Sequence, residues 1–146
     1  MIVALNNKSN LTKDEFTKYQ SELMHIETNH LMILCPSMVH IPLYRESKIK
    51  LGAQNVSCTT KGAHTGEIYA DQWVSYGVEY CIIGHSERRQ DQKESDEEIH
   101  DKVERLFEAG ITPILCCGET KEEREEGREK EVIGRELDIA LNGISD

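Results

Sequence analysis

The chain has 146 residues and a formal net charge of −10, from 17 basic and 27 acidic side chains. Because domains commonly run to about 100–200 residues, this length predicts one domain over residues 1–146 and no second domain. The composition, with 38% hydrophobic and 30% charged residues, argues against a disordered chain. The lack of an apolar run of about 18 residues argues against a membrane-spanning protein. The negative net charge disfavours nucleic acid and anionic lipid as partners.

The first predicted element is a short apolar strand at residues 2–5, followed by the polar loop Asn6-Asn7-Lys8-Ser9-Asn10. The apolar segment turns polar too early for a secretory signal, so we expect a cytoplasmic protein. A lysine at the carboxyl end of a strand is a compact cation that suits an anionic substrate or a developing oxyanion. An Asn-rich loop is also typical of a simple turn, so this feature alone does not define a site.

Four more apolar runs predict β-strands at residues 31–35, 51–56, 78–83 and 111–117. Thr12 and Ser95 each lie three residues before a glutamate, which is the spacing of a capping box at the start of a helix. The helices that follow carry apolar stripes, formed by Phe16, Tyr19 and Leu23 in the first and by Ile99, Val103, Leu106 and Phe107 in the second. Further helices are expected near residues 68–76 and 128–144.

The order of these elements predicts five β-α units. Nearly continuous apolar strands are typical of a parallel sheet that is covered on both faces. The periodicity alone leaves two alternatives open, a doubly wound open sheet and a closed barrel.

The densest cluster of unusual residues, Gly84-His85-Ser86-Glu87-Arg88-Arg89, begins where the fourth strand ends. Parallel α/β proteins place their sites at the carboxyl ends of strands. A histidine that enters a helix N-terminus there would have its cationic form disfavoured and would serve as a neutral hydrogen-bond donor, which makes His85 a candidate catalytic residue. The alternatives are a capping role for His85 and a surface ion-pair cluster for the charged residues after it.

The five cysteines form an odd set without a Cys-x-x-Cys pair, and four of them lie in or beside apolar runs. We therefore expect reduced, buried thiols and no metal site.

Taken together, these motifs resemble the triosephosphate isomerase family over the whole chain. Asn6-Asn7-Lys8 is similar to the family's Asn-Trp-Lys motif. Residues 51–56 are similar to its third strand, and residues 62–67 are similar to its protruding loop. The most specific match is the segment 82–89, and Cys116-Cys117-Gly118-Glu119-Thr120 supports it. The resemblance implies an α/β fold, a partial TIM (β/α)8 barrel of five parallel strands with flanking helices.

The family interconverts dihydroxyacetone phosphate and glyceraldehyde 3-phosphate through an enediolate, without a cofactor. The resemblance implies that His85 is the neutral electrophile, that Lys8 binds substrate and stabilises negative charge, and that Asn6 is a further donor to the same oxygen. Glu87 would position or balance Lys8. The implied small-molecule partner is a phosphorylated triose.

The family's barrel has eight strands within about 250 residues, and this sequence reaches five. Its general base, its mobile lid and its phosphate-binding turns lie in the later strands and loops, so we expect the 146 residues alone to be catalytically silent. The open sheet edges would have to be covered by self-association, by a complementary C-terminal segment or by rearrangement into a different compact fold. The resemblance implies a homodimer. The alternatives are a non-catalytic α/β interaction module and one half of a split isomerase.

The resemblance also implies that Thr65, His64 and Gln54 lie at a homodimer interface. Three residues depart from the family pattern: Leu5 stands at a usual glycine, Asn7 at a tryptophan and His64 at a phenylalanine. We expect Leu5 to crowd the end of the first strand and His64 to bring a polar tip into a subunit contact.

Overall fold

The architecture is a five-stranded parallel sheet, which a computed structural model describes over residues 1–144. Its strands lie side by side in chain order. They are β1 (Ile2–Asn6), β2 (Leu31–Cys35), β3 (Lys50–Ala53), β4 (Tyr80–Ile83) and β5 (Thr112–Leu115). All five predicted strands are confirmed, although β3 ends at Ala53, three residues earlier than expected.

Helices follow the strands. They are α1 (Lys13–Leu23), α2 (Ala70–Ser75), α3 (Ser86–Asp91), α4 (Asp96–Glu108), α5 (Lys121–Glu125) and α6 (Glu129–Ala140), with a 3-10 helix at Met38–Leu43 after β2. The capping box at Ser95 is present, since its backbone N–H donates to Glu98 at 2.8 Å and Glu98 N–H donates to its hydroxyl at 3.1 Å. None of the described helices combines the length and hydropathy needed to cross a bilayer.

The sheet curls into a partial barrel. A doubly wound sheet reverses its strand order at a switch point, whereas here the order never reverses. On the inner face, Ile33 and Cys35 of β2 pack with Ile82 of β4, across the intervening strand β3. Gly52 of β3 leaves that space open, because a Cβ atom on it would lie 2.5 Å from Cys35 Sγ. The structure therefore decides for the partial TIM barrel.

The outer face of the sheet packs against the helices. Phe16 and Leu23 of α1 are buried against β2, and α4 covers β4 and β5 with three fully buried side chains of its stripe, Ile99, Val103 and Leu106. Phe107 is a correction to the predicted stripe, because it is 50% exposed. It lies at the edge of the helix face that contacts the sheet.

The two outer strands are paired on one side only within residues 1–144. β1 pairs with β2, and β5 pairs with β4. Ile2 is 66% exposed on the first of these edges. Within residues 1–144, no further strand pairs with the outer edge of β1 or of β5.

The expectation of five buried thiols is wrong for three of them. All five cysteines are free, but only Cys35 and Cys81 are buried, while Cys58 and Cys116 are half-buried and Cys117 is exposed. Cys117 lies two residues beyond the end of β5.

Candidate functional site

Lys8 lies in the loop after β1, in a backbone conformation that few lysines adopt. Its φ is 50°, in the left-handed region that disfavours residues with a Cβ atom. Two side chains hold it there. The Lys8 backbone N–H donates to Asn6 Oδ1 at 3.0 Å, and Gln54 Nε2 donates to the Lys8 carbonyl oxygen at 2.9 Å.

His85 is the N-cap residue of α3. The backbone N–H of Glu87 donates to His85 Nδ1 at 3.2 Å. When Nδ1 accepts this bond, the neutral ring carries its proton on Nε2; this tautomer is assigned from the hydrogen-bond network. The imidazole can therefore donate one N–H from Nε2, and its capping role leaves that atom unused.

An ion pair joins the two loops. Lys8 Nζ donates to Glu87 Oε1, and the second carboxylate oxygen of Glu87 lies 3.6 Å from His85 Nδ1. The hydrogen bond from Lys8 lowers the pKa of Glu87, and the opposing effect of burial does not cancel it. Glu87 is thus a carboxylate at neutral pH and balances the ammonium group.

These side chains line one cavity of about 450 Å³ at the carboxyl ends of the strands. Asn6, Lys8, His85 and Glu87, the four predicted site residues, all border it, and so does Gln54. The predicted interface residues otherwise lie apart. Thr65 is exposed in the loop after β3, and His64 borders a second cavity of about 340 Å³.

Two features of the site were not anticipated from the sequence. Gln54, predicted at a subunit contact, supports the Lys8 loop within the same chain, since its amide also donates to the carbonyl of Cys35 at 2.9 Å. Lys102 and Glu94 form a buried ion pair behind the site, with only 4% and 7% of their side chains exposed. The signal for Lys102 is its spacing, three residues after Ile99, which places it on the buried face of α4.

Arg88 also contacts this ion pair. Its Nε lies 2.5 Å from Glu94 Oε1, the oxygen that Lys102 Nζ contacts. Burial raises the pKa of Glu94, but the hydrogen bonds and charges of Lys102 and Arg88 outweigh it and leave the pKa below its usual value.

A curled parallel sheet with polar side chains at the carboxyl ends of its strands is typical of the class of β/α-barrel proteins. Within this class, residues 1–146 match the sequence profile of the triosephosphate isomerase family. The chain therefore belongs to the triosephosphate isomerase family.

Several relatives are similar over nearly the whole chain. The triosephosphate isomerase of Clostridium beijerinckii is 37% identical over 150 residues, which cover 99% of this chain and 60% of the relative. That of Aquifex aeolicus is 40% identical over 153 residues, 99% of this chain and 62% of the relative. That of Clostridium botulinum is 39% identical, again over 99% of this chain and 60% of the relative. The chain thus spans about 60% of the length of these curated relatives.

Proposed function

We propose that this chain supplies the electrophilic half of a triosephosphate isomerase site. In that site, dihydroxyacetone phosphate and glyceraldehyde 3-phosphate interconvert by proton transfer between adjacent carbons. The observation that carries the proposal is the single cavity bordered by Lys8, His85 and Asn6, which come from the ends of two different strands. Family membership, rather than the cavity alone, selects the reaction.

The charge distribution suits an enediolate. Negative charge that develops on the substrate oxygen is stabilised by donors fixed in advance, since they need no reorganisation during the reaction. Lys8 offers an ammonium group and His85 offers Nε2–H. Asn6 uses its carbonyl oxygen to accept from Lys8 N–H, which leaves its amide N–H groups for the substrate.

We further propose that the 146 residues are inactive by themselves. By family resemblance, the general base and the phosphate-binding turns belong to strands beyond β5. A positioned acid or base contributes about 10²–10⁴-fold to a rate, and phosphate binding supplies energy for orientation at the reacting carbons. The proposed partner is therefore a complementary C-terminal segment that pairs with the open edges of β1 and β5.

A homodimer through the loop after β3 is part of the same proposal. Thr65 and His64 are exposed there, so they are accessible to a second copy. Gln54 lies at the base of this loop and would link a subunit contact to the Lys8 backbone. One domain over residues 1–146 and a cytoplasmic place of action complete the proposal.

The test is complementation. The purified chain is mixed with a polypeptide that carries strands six to eight of a related isomerase, and isomerisation is followed with a coupled assay. We expect no turnover from either part alone and measurable turnover from the complex. His85→Gln should lower that turnover by about 10²-fold or more, while His25→Gln, an exposed histidine in the loop after α1, should leave it unchanged.

Two outcomes would count against the proposal. Turnover by the chain alone that His85→Gln abolishes would show that strands beyond β5 are not required. A stable complex without turnover would favour a non-catalytic interaction module instead.

A further inference from the structure

Two neighbouring residues at the end of β3 support the site from opposite sides. Gln54 Nε2 donates to the carbonyl oxygen of Lys8 at 2.9 Å. Asn55 Oδ1 accepts from Lys102 Nζ at 2.9 Å. The short segment Gln54-Asn55 thereby connects the Lys8 loop to the buried face of α4.

The same lysine leads back to the site along a second route. Lys102 Nζ contacts Glu94 Oε1, and Arg88 Nε donates to that oxygen. Arg88 follows Glu87 in the chain, and Glu87 pairs with Lys8. The contacts therefore form a closed ring.

The ring consists of seven residues, Lys8, Glu87, Arg88, Glu94, Lys102, Asn55 and Gln54. Its front, with Lys8 and Glu87, borders the larger cavity, while its back, with Glu94 and Lys102, borders the smaller one. Burial matters at the back, because a lysine with only 4% of its side chain exposed has few alternative partners. The back of the ring is therefore fixed, whereas the front is half exposed.

We infer that Lys102 and Glu94 are positioning residues, which hold the Lys8 and His85 loops in register without touching the cavity that both loops border. Lys102 fixes β3 through Asn55, and Glu94 fixes the start of α3 through Arg88. The Glu87 backbone N–H, which donates to His85 Nδ1, then has one defined position relative to Lys8. This positioning role rests on the proposed function, whereas the ring of contacts is a property of the structure itself.

The experiment changes Lys102 at the back of the ring and measures the backbone amide of Glu87 and the side-chain amide of Gln54 by NMR. In the ¹⁵N-labelled chain, Lys102→Met is expected to raise hydrogen exchange at the Glu87 amide by about tenfold or more and to shift the Gln54 side-chain amide resonances. The matched control is Lys50→Met. It removes another lysine–glutamate pair, the exposed contact of Lys50 with Glu79, at the opposite end of β3.

A second control separates positioning from loss of stability. Val132→Ala, in the buried face of α6, weakens the core without touching the ring. If it raises Glu87 exchange as much as Lys102→Met does at equal unfolding free energy, the role is merely structural and the inference is overturned.

If Lys102→Met does not fold, Asn55→Ala replaces it in the same measurement. This variant removes the hydrogen bond between Lys102 and Asn55 and changes no charge. An unchanged Glu87 amide in that variant would also overturn the inference. Neither measurement uses substrate. Failure of complementation would leave the ring standing, and failure of the ring would leave the isomerase proposal untouched.

Discussion

Gly52 of β3 packs directly against the Cys35 side chain of β2 on the inner face of the sheet, with no room for a side chain at position 52. A Cβ atom on Gly52 would lie 2.5 Å from Cys35 Sγ and 3.0 Å from Ile33 Cγ2. The absence of a side chain on Gly52 lets β2 and β4 pack together across β3. A side chain at position 52 would therefore force Cys35 and Ile33 of β2 to move.

Gly52→Ala is therefore expected to destabilise the fold. Crowding a packed core costs about 1–3 kcal/mol, which urea unfolding of the chain would measure. Gly134→Ala is the matched control, since Gly134 lies in α6 and a Cβ atom added to it would meet nothing within 4 Å. It should stabilise by about 0.5–1 kcal/mol because alanine favours a helix. Equal effects of the two changes would contradict the packing argument.

Gln20→Leu should also destabilise the chain. Gln20 is buried in α1, accepts from the Arg45 backbone N–H at 2.7 Å and donates to the Leu43 carbonyl oxygen at 3.2 Å. The variant leaves both backbone groups without these partners, at a cost of about 1–3 kcal/mol each where they stay buried. Thermal unfolding would show a lowered midpoint, whereas Gln90→Leu, at an exposed position of α3, should change it little. Similar midpoints for both variants would exclude this role for Gln20.

The strands could be predicted from local pattern, but the ion pairs of the site could not. The run that became β2 has the predicted bounds, because a buried parallel strand is apolar throughout. The predicted apolar stripe of α4 did not include Lys102, whose buried ammonium group is paired with Glu94, the carboxylate that Arg88 also contacts. The pairing of Lys8 with Glu87 joins residues 79 positions apart, so only the tertiary fold brings them together.

Acid should destabilise the chain partly through Glu94. The pKa of this carboxyl is below its usual value of 4.5 in the folded chain, because Lys102 and Arg88 outweigh the opposing effect of burial. The unfolded state then binds more protons, so the stabilisation is complete above pH 4.5 and is lost as the pH falls through the folded pKa. Unfolding free energies at pH 6 and pH 3.5 should differ less for Glu94→Gln than for the unchanged chain. Parallel losses in both proteins would assign the acid sensitivity to other groups.

The cysteines should differ sharply in reactivity. Burial raises the pKa of Cys35 to about 12 and raises that of Cys81 as well, and the thiolate is the form that reacts with iodoacetamide. Cys117 is exposed beyond β5. Brief labelling of the native chain at pH 8, followed by peptide mass analysis, should therefore modify Cys117 first and spare the two buried thiols. Cys117→Ser should remove the fast phase, and urea should make Cys35 and Cys81 reactive together. Fast labelling of Cys35 in the folded chain would mean that the inner face of the sheet opens readily, which is incompatible with its packing against Gly52 and Ile82.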